Sequence, residues 1–110
     1  MSNVENTAVL YGVSQKELAE ILGVSLQSIK KLNVAKNLPL NKNLSERILR
    51  LQEIMYLAHC YFGQDETAMR WFQDVNKGLD YKKPFTVCDT FYGMERVENS
   101  LIKLVHGMTA

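Results

Sequence analysis

Proline is scarce in this chain, which has only Pro39 and Pro84 among its 110 residues. Both lie between segments with helical spacing of apolar residues, so they separate helices rather than interrupt them. No segment alternates apolar and polar residues over a length that would predict a β-strand. We therefore expect an all-α protein. The chain length fits one compact domain or two small helical halves that share a core.

An excess of one charge is also lacking, because the formal net charge is only +1. Nonspecific binding to polyanions is therefore not favoured, and any DNA binding must come from a local surface. Residues 1–43 hold five lysines against three glutamates, whereas residues 64–110 hold six basic and seven acidic side chains. This mild asymmetry is compatible with a DNA-binding N-terminal part and a protein-binding C-terminal part.

Cysteine is represented only by Cys60 and Cys88, and each lies within an apolar stretch. Two isolated cysteines do not form a disulfide framework, so we interpret both as reduced core residues. The N-terminus has no basic segment followed by an apolar run, and no stretch approaches the roughly 20 apolar residues of a membrane span. These observations predict a cytoplasmic protein.

Patterns typical of enzymes and metal sites are weak. His59, Cys60, Cys88 and His106 are the candidate zinc ligands, but no CxxC or HxxxH spacing is present. No glycine-rich phosphate loop occurs either, and we interpret Asp89, Glu95 and Glu98 as solvated carboxylates. A cysteine–histidine nucleophile pair stays open, although no motif supports it. We expect no enzymatic activity, no metal and no cofactor.

The best-defined local pattern covers residues 15–34. Ser14 and Glu17 have the spacing of a capping box and predict a helix that ends at Gly23. Ser25 then caps a second helix that runs through Leu32. The inward residues are Leu18, Ala19, Ile21, Leu22, Val24, Ile29 and Leu32. This arrangement is typical of a helix-turn-helix.

The same geometry turns six residues of the second helix outward: Ser25, Leu26, Gln27, Ser28, Lys30 and Lys31. The first residues of such a helix lie against base edges in the major groove. Gln27 can bond two positions of an adenine, and Leu26 can contact a thymine methyl. Lys30 and Lys31 are placed for phosphates. The pattern favours DNA binding over the alternative, a helix pair that only contacts protein.

Helical patterns continue beyond a predicted loop at residues 33–42. Asn43 is expected to cap a long helix that ends near Phe62, and Asp65 to cap the next helix. The apolar stripe of the long helix consists of Leu44, Ile48, Leu51, Met55, Ala58 and Phe62.

The pattern then predicts a turn at residues 76–80 and a short helix at residues 85–92. A last helix is expected after Gly93 and to end at His106 and Gly107, which would leave a free tail. Its inward residues are Met94, Val97, Leu101 and Leu104.

From Leu38 onward the sequence resembles the antitoxins of the Xre–MbcA–ParS type, which pair a helix-turn-helix with a toxin-binding domain. The residues that carry the resemblance are Leu44, Ser45, Glu46, Arg47, Ala58, Phe62, Gly63, Ala68, Trp71, Phe72, Asn76, Leu79, Pro84, Gly93, Val97, Leu101, His106 and Gly107. The chain departs from the pattern at Phe72, where members often have leucine, and at residues 81–83 before the proline.

The resemblance implies an antitoxin that covers the active site of a cognate toxin, usually an NAD-consuming RES toxin, and represses its own operon. Residues 1–42 would then be the helix-turn-helix DNA-binding region, and residues 43–110 the helical toxin-binding and dimerisation region. The implied toxin-binding residues are Trp71, Asn76, Lys103, His106, Gly107 and Met108. For Trp71 and the stripe of the last helix, core packing is the simpler interpretation.

The expected partners are the toxin, operator DNA and a second copy of the chain, because one small helix-turn-helix covers few base pairs. The stripe between Leu44 and Phe62 is wide enough for an intramolecular core and a partner helix. Two alternatives stay open: a phage-type regulator without a toxin partner, and a protein-interaction adaptor.

Overall fold

The computed structural model describes residues 3–34 and 42–109. These residues form seven α-helices: α1 (Asn3–Tyr11), α2 (Gln15–Leu22), α3 (Leu26–Val34), α4 (Lys42–Phe62), α5 (Asp65–Gln73), α6 (Pro84–Val87) and α7 (Phe91–Thr109). A short 3-10 helix, Lys77–Leu79, lies between α5 and α6. The described residues contain no β-strand, only one isolated bridge between Asn76 and Lys82. The predicted all-α class is confirmed.

The predicted helix-turn-helix is present at α2 and α3. The Ser14 hydroxyl accepts the Glu17 N–H, and the Glu17 carboxylate accepts the Ser14 N–H, which confirms the capping box. Gly23 ends α2 with φ of 71°, a left-handed conformation in which glycine avoids the steric cost of a Cβ. Ser25 caps α3 by accepting the Ser28 N–H at 3.1 Å. Leu18, Ala19, Ile21 and Leu22 are buried as expected.

Helix α4 is the centre of the fold, since α1, α2, α5 and α7 all pack against it. Its buried residues are Ile48, Leu51, Ile54, Met55 and Ala58, and Leu44 and Phe62 are partly buried against the same core. The predicted stripe is therefore confirmed as intramolecular core. Helix α1 had no clear sequence signal; the Tyr11 hydroxyl donates to the Leu51 carbonyl at 2.7 Å and joins α1 to α4.

Several predicted helix boundaries are wrong. Helix α4 begins at Lys42, so Asn43 lies inside the helix rather than at its cap. Gln64, not Asp65, is the N-cap residue of α5. The predicted loop at residues 33–42 falls mostly on residues 35–41, which lie outside the described residues, but residues 33, 34 and 42 are helical.

The predictions for the last helices also need correction. Helix α6 has four residues, and α7 already begins at Phe91, so Gly93 lies inside α7. The missed signal is Thr90, whose hydroxyl accepts the Gly93 N–H at 2.9 Å in the manner of an N-cap. Gly107 does not end α7, which continues through Thr109.

The core joins both halves of the chain through aromatic residues. The Tyr11 ring lies 4.7 Å from that of Phe72 and 5.3 Å from that of Phe85, measured between centroids. Met94, Val97 and Leu101 of α7 are fully buried, as predicted. Cys88 is buried, but Cys60 is exposed, so its assignment to the core is wrong. Within the described residues, no helix is both long and apolar enough to span a lipid bilayer.

Candidate DNA-binding helix and partner-binding surface

Helix α3 presents the predicted DNA-binding residues on one side and is anchored by the other. Gln27, Lys30 and Lys31 are exposed, and Ser25 precedes them at the exposed start of the helix. Leu26 and Ser28 are half-buried. Ile29 is fully buried and fixes the helix to the core, while the side chain of Leu32 lies outside the described residues. The structure therefore groups an exposed amide and two lysines on one helix surface.

The two serines at the start of α3 already have hydrogen-bond partners. The Ser25 hydroxyl accepts the Ser28 N–H, and the two hydroxyls are 3.0 Å apart. These bonds satisfy the helix start. Among the predicted base-reading residues, Gln27 is therefore the exposed side chain with both a donor and an acceptor for an adenine.

Arg47 of α4 connects the helix-turn-helix to the rest of the fold. The Nη1 atom donates to the Leu22 carbonyl at 2.6 Å, and the Nη2 atom donates to the Ile21 carbonyl at 2.6 Å. These carbonyls end α2, where a helix has unpaired acceptors and partial negative charge. The Nη2 atom also donates to the Asp89 carbonyl at 2.7 Å. One guanidinium thus joins α2 to the segment between α6 and α7.

Helical periodicity placed Arg47 outside the core stripe of α4, and no local signal revealed its carbonyl partners. These partners are 25, 26 and 42 residues away in sequence. Their identity therefore depends on the packing of α2 and the α6–α7 segment around α4.

Trp71 and Asn76 both contribute to the fold. Trp71 is half-buried, and its ring lies 5.0 Å from that of Phe72 and 6.3 Å from that of Phe62. The Asn76 side-chain oxygen accepts the Gly78 N–H at 2.8 Å and caps the 3-10 helix. The core-packing interpretation of Trp71 thus has direct support, and contact of either residue with a toxin stays a prediction.

The other predicted toxin-binding residues lie near the end of α7. Lys103, His106 and Gly107 are exposed, and the side chain of Met108 lies outside the described residues. Lys103 and His106 are three residues apart, so they share one helix face. The free tail predicted after Gly107 is wrong, because glycine alone does not terminate a helix whose neighbouring residues keep helical geometry.

Sequence reasoning missed a set of exposed apolar residues in the same half of the chain. Periodicity identifies the residues that face the core, but it does not show which outward side chains are left exposed to solvent by the neighbouring elements. The exposed residues are Val75, Tyr81, Phe91 and Tyr92.

The residues considered for metal binding or catalysis are dispersed. Among the described residues, no group of three or more histidine, cysteine or acidic side chains is placed to hold a metal ion. His59 pairs with Asp65. Burial raises the pKa of the Cys88 thiol to about 12, and Asp89 adds to the effect. That thiol stays protonated near neutral pH, which argues against its action as a nucleophile.

Two family models match the chain. The antitoxin Xre-like helix-turn-helix domain matches residues 4–53, which run from α1 through α2 and α3 into the first half of α4. The antitoxin Xre/MbcA/ParS C-terminal toxin-binding domain matches residues 57–107, from the last turns of α4 to the last turn of α7. No curated protein matches the chain. The chain is therefore similar to these antitoxins in both halves.

Proposed function

We propose that this chain, in which an Xre-like antitoxin helix-turn-helix precedes an Xre/MbcA/ParS toxin-binding domain, is the antitoxin of a type II toxin–antitoxin system. It binds a cognate toxin and represses its own operon. The main support for the proposal is that the two family models match consecutive parts of one chain. The exposed surface of α3 supports the DNA-binding part of it.

Operator binding rests on residues 1–42. Gln27 reads a base, and Lys30 and Lys31 hold phosphates. Ile29 anchors α3 in the core, and Arg47 of α4 holds the end of α2. Because the net charge of the whole chain is only +1, this local surface supplies most of the attraction to DNA.

Toxin neutralisation rests on residues 43–110, which also hold the dimerisation region. The toxin is of the NAD-consuming RES type, and the antitoxin covers its active-site entrance with the exposed side of α7. The antitoxin acts in the cytoplasm and supplies no catalytic group of its own.

Two measurements on the wild-type chain test the two activities separately. A gel shift with DNA from upstream of its own gene tests operator binding, with scrambled DNA of equal length as the control. Co-purification with the product of the adjacent gene tests toxin binding. The RES assignment predicts that this product, expressed alone, lowers cellular NAD and that co-expression of the chain restores it. Unchanged NAD with arrested growth would indicate another toxin chemistry.

Truncation at the C-terminus tests the role of the end of α7. Deletion of residues 107–110 removes the last residues of the helix while leaving Met94, Val97 and Leu101 in the core. We expect intact circular dichroism and operator binding but weaker protection of cells against the toxin. Full protection by the truncated chain would place the toxin contact elsewhere, for example on the segment between Trp71 and Pro84.

A further inference from the structure

Exposed large apolar side chains occur in two separate parts of the described chain. Val9, Leu10, Leu49 and Tyr56 lie on α1 and α4. The second group lies within residues 57–107, the segment that matches a toxin-binding domain. Its two most exposed rings are Tyr92, at 71%, and Tyr81, at 67%. Single exposed apolar side chains are common on protein surfaces, whereas a contiguous patch marks an interaction site, so the relative placement of these two rings matters.

The backbone holds Tyr81 in an unfavourable conformation. Asp80 and Tyr81 both have φ of 60°, and a bulky residue rarely adopts this left-handed region. Hydrogen bonds maintain it: the Tyr81 N–H donates to the Asn76 carbonyl at 2.9 Å, and the Asn76 N–H donates to the Lys82 carbonyl at 3.0 Å. The ring therefore projects into solvent from a fixed loop. Strain of this kind is concentrated at binding sites.

An ion pair attaches this loop to α7. The Arg96 Nη2 atom lies 3.1 Å from the Asp80 carboxylate, and the 3-10 helix also packs against α7. Tyr92 precedes Arg96 by one helical turn, so the two side chains share a face. Tyr81 follows Asp80 directly. The ion pair thus holds the loop that carries Tyr81 against the first turns of α7, where Tyr92 lies.

Tyr92 also begins a continuous exposed strip along α7. Asn99 and His106 follow at intervals of seven residues, and Lys103 lies one turn after Asn99. All four side chains are exposed. The strip extends over about 21 Å, given a rise of about 1.5 Å per residue. It connects the tyrosines to the toxin-binding residues expected from the sequence near the end of α7.

We propose that Tyr81 and Tyr92 are the anchoring residues of the toxin interface and that the strip from Tyr92 to His106 continues it. This inference rests on the proposed function and names the surface that function uses. Tyrosine is enriched among residues that dominate binding energy, and a fixed loop binds with little loss of conformational entropy. Arg96, Lys103 and Glu95 supply the polar rim that such interfaces have.

Alanine substitution tests the proposal with a matched control. Tyr56 is 72% exposed and lies on α4. Although it falls within residues 43–110, it is outside both matched segments and is not part of the surface proposed here, so Tyr56→Ala removes a ring of equal exposure elsewhere. The probe is the purified product of the adjacent toxin gene, titrated against each full-length variant. We expect Tyr81→Ala and Tyr92→Ala each to weaken binding about 30-fold or more, and Tyr56→Ala less than about 3-fold. Tyr92→Phe keeps the ring and should retain most of the affinity.

Further measurements separate the possible failures. Circular dichroism and operator binding should be unchanged in all variants, which shows that the fold is intact. Equal toxin binding by wild type, Tyr81→Ala and Tyr92→Ala would refute the assignment of this surface to the toxin interface, but it would not contradict the proposed antitoxin function. If the wild type does not bind the toxin, the proposed function fails and this inference fails with it. If the variants turn a dimer into a monomer without a loss of toxin affinity, the surface joins two copies and the proposal is wrong.

Discussion

Arg47 has an unusually large structural role for a half-buried side chain. Its guanidinium bonds three backbone carbonyls at 2.6–2.7 Å, on α2 and on the segment before α7. Hydrogen bonds from a charged donor are stronger than neutral ones, and loss of the donor leaves carbonyls unpaired. Arg47 therefore connects the DNA-binding helices to the half of the chain proposed to bind the toxin.

Replacement of this arginine should destabilise the whole fold. We expect Arg47→Ala to lower the free energy of unfolding by about 3 kcal/mol, as measured by urea denaturation. Arg50→Ala is the matched control, because Arg50 makes a partly exposed ion pair with Glu98 at 3.1 Å. Such pairs contribute roughly 0–1 kcal/mol. Similar losses in the two variants would show that the carbonyl contacts of Arg47 contribute little.

We expect DNA recognition to separate into base reading and phosphate binding at neighbouring residues of α3. Gln27→Ala should weaken binding to the cognate operator by about 1–3 kcal/mol and affect random DNA less. Lys30→Ala should weaken binding to all sequences and reduce the salt dependence. Lys77→Ala, at an exposed lysine of the other half, is the control for lost charge. Equal losses on cognate and random DNA for Gln27→Ala would argue against base reading.

At the scale of elements, α7 contains two glycines in contrasting surroundings. Gly93 is buried, and a Cβ there would overlap the Val87 carbonyl oxygen at the end of α6. Among the described residues, no atom beyond its chain neighbours and the nearby backbone of its own helix lies within 4 Å of the position that a Cβ of Gly107 would take. Gly93 therefore permits the close approach of α6 and α7, whereas Gly107 only lowers the helix propensity of the last turns.

The same substitution at the two glycines should have opposite effects. Gly93→Ala forces α6 and α7 apart and should cost about 3 kcal/mol in thermal or chemical unfolding. Gly107→Ala adds helix propensity without a clash and should stabilise the chain by about 0.5 kcal/mol. Helix content from circular dichroism checks that α7 persists. A stabilising Gly93→Ala would contradict the close approach seen here.

At the scale of the whole molecule, the apolar stripe of α4 serves the core of a single chain. Ile48, Leu51 and Met55 are buried there beneath α1, α5 and α7. From the sequence we expected that this stripe could also pack against a partner helix. The helices of the same chain already cover its buried residues, so the width of the stripe does not by itself indicate a partner.

We still expect a homodimer, because helix-turn-helix modules bind two half-sites about one helical turn of DNA apart. Sedimentation at micromolar concentration should give a mass of about 25 kDa, twice the 12.6 kDa of one chain. Operator DNA with two half-sites should bind more tightly than DNA with one. A monomer with and without DNA would refute this expectation.

The sequence alone determined the features that depend on neighbouring residues. The helix-turn-helix was defined by its caps and its turn, at Ser14 with Glu17, Gly23 and Ser25. Caps and turns depend on hydrogen bonds between residues that are close in sequence. Periodicity identified the buried sides of α2, α4 and α7 for the same reason. The outward positions of Gln27, Lys30 and Lys31 followed from that periodicity.

Only the tertiary structure decided the features that depend on distant residues. The partners of Arg47 lie up to 42 residues away, and the role of Gly93 depends on how α6 meets α7. The exposure of Tyr81 depends on a loop that Asp80 and Arg96 attach to another helix across 16 residues. A sequence pattern shows which side of a helix faces the core. It does not show how two helices are placed relative to each other, and the contacts of Arg47, Gly93 and Asp80 depend on that placement.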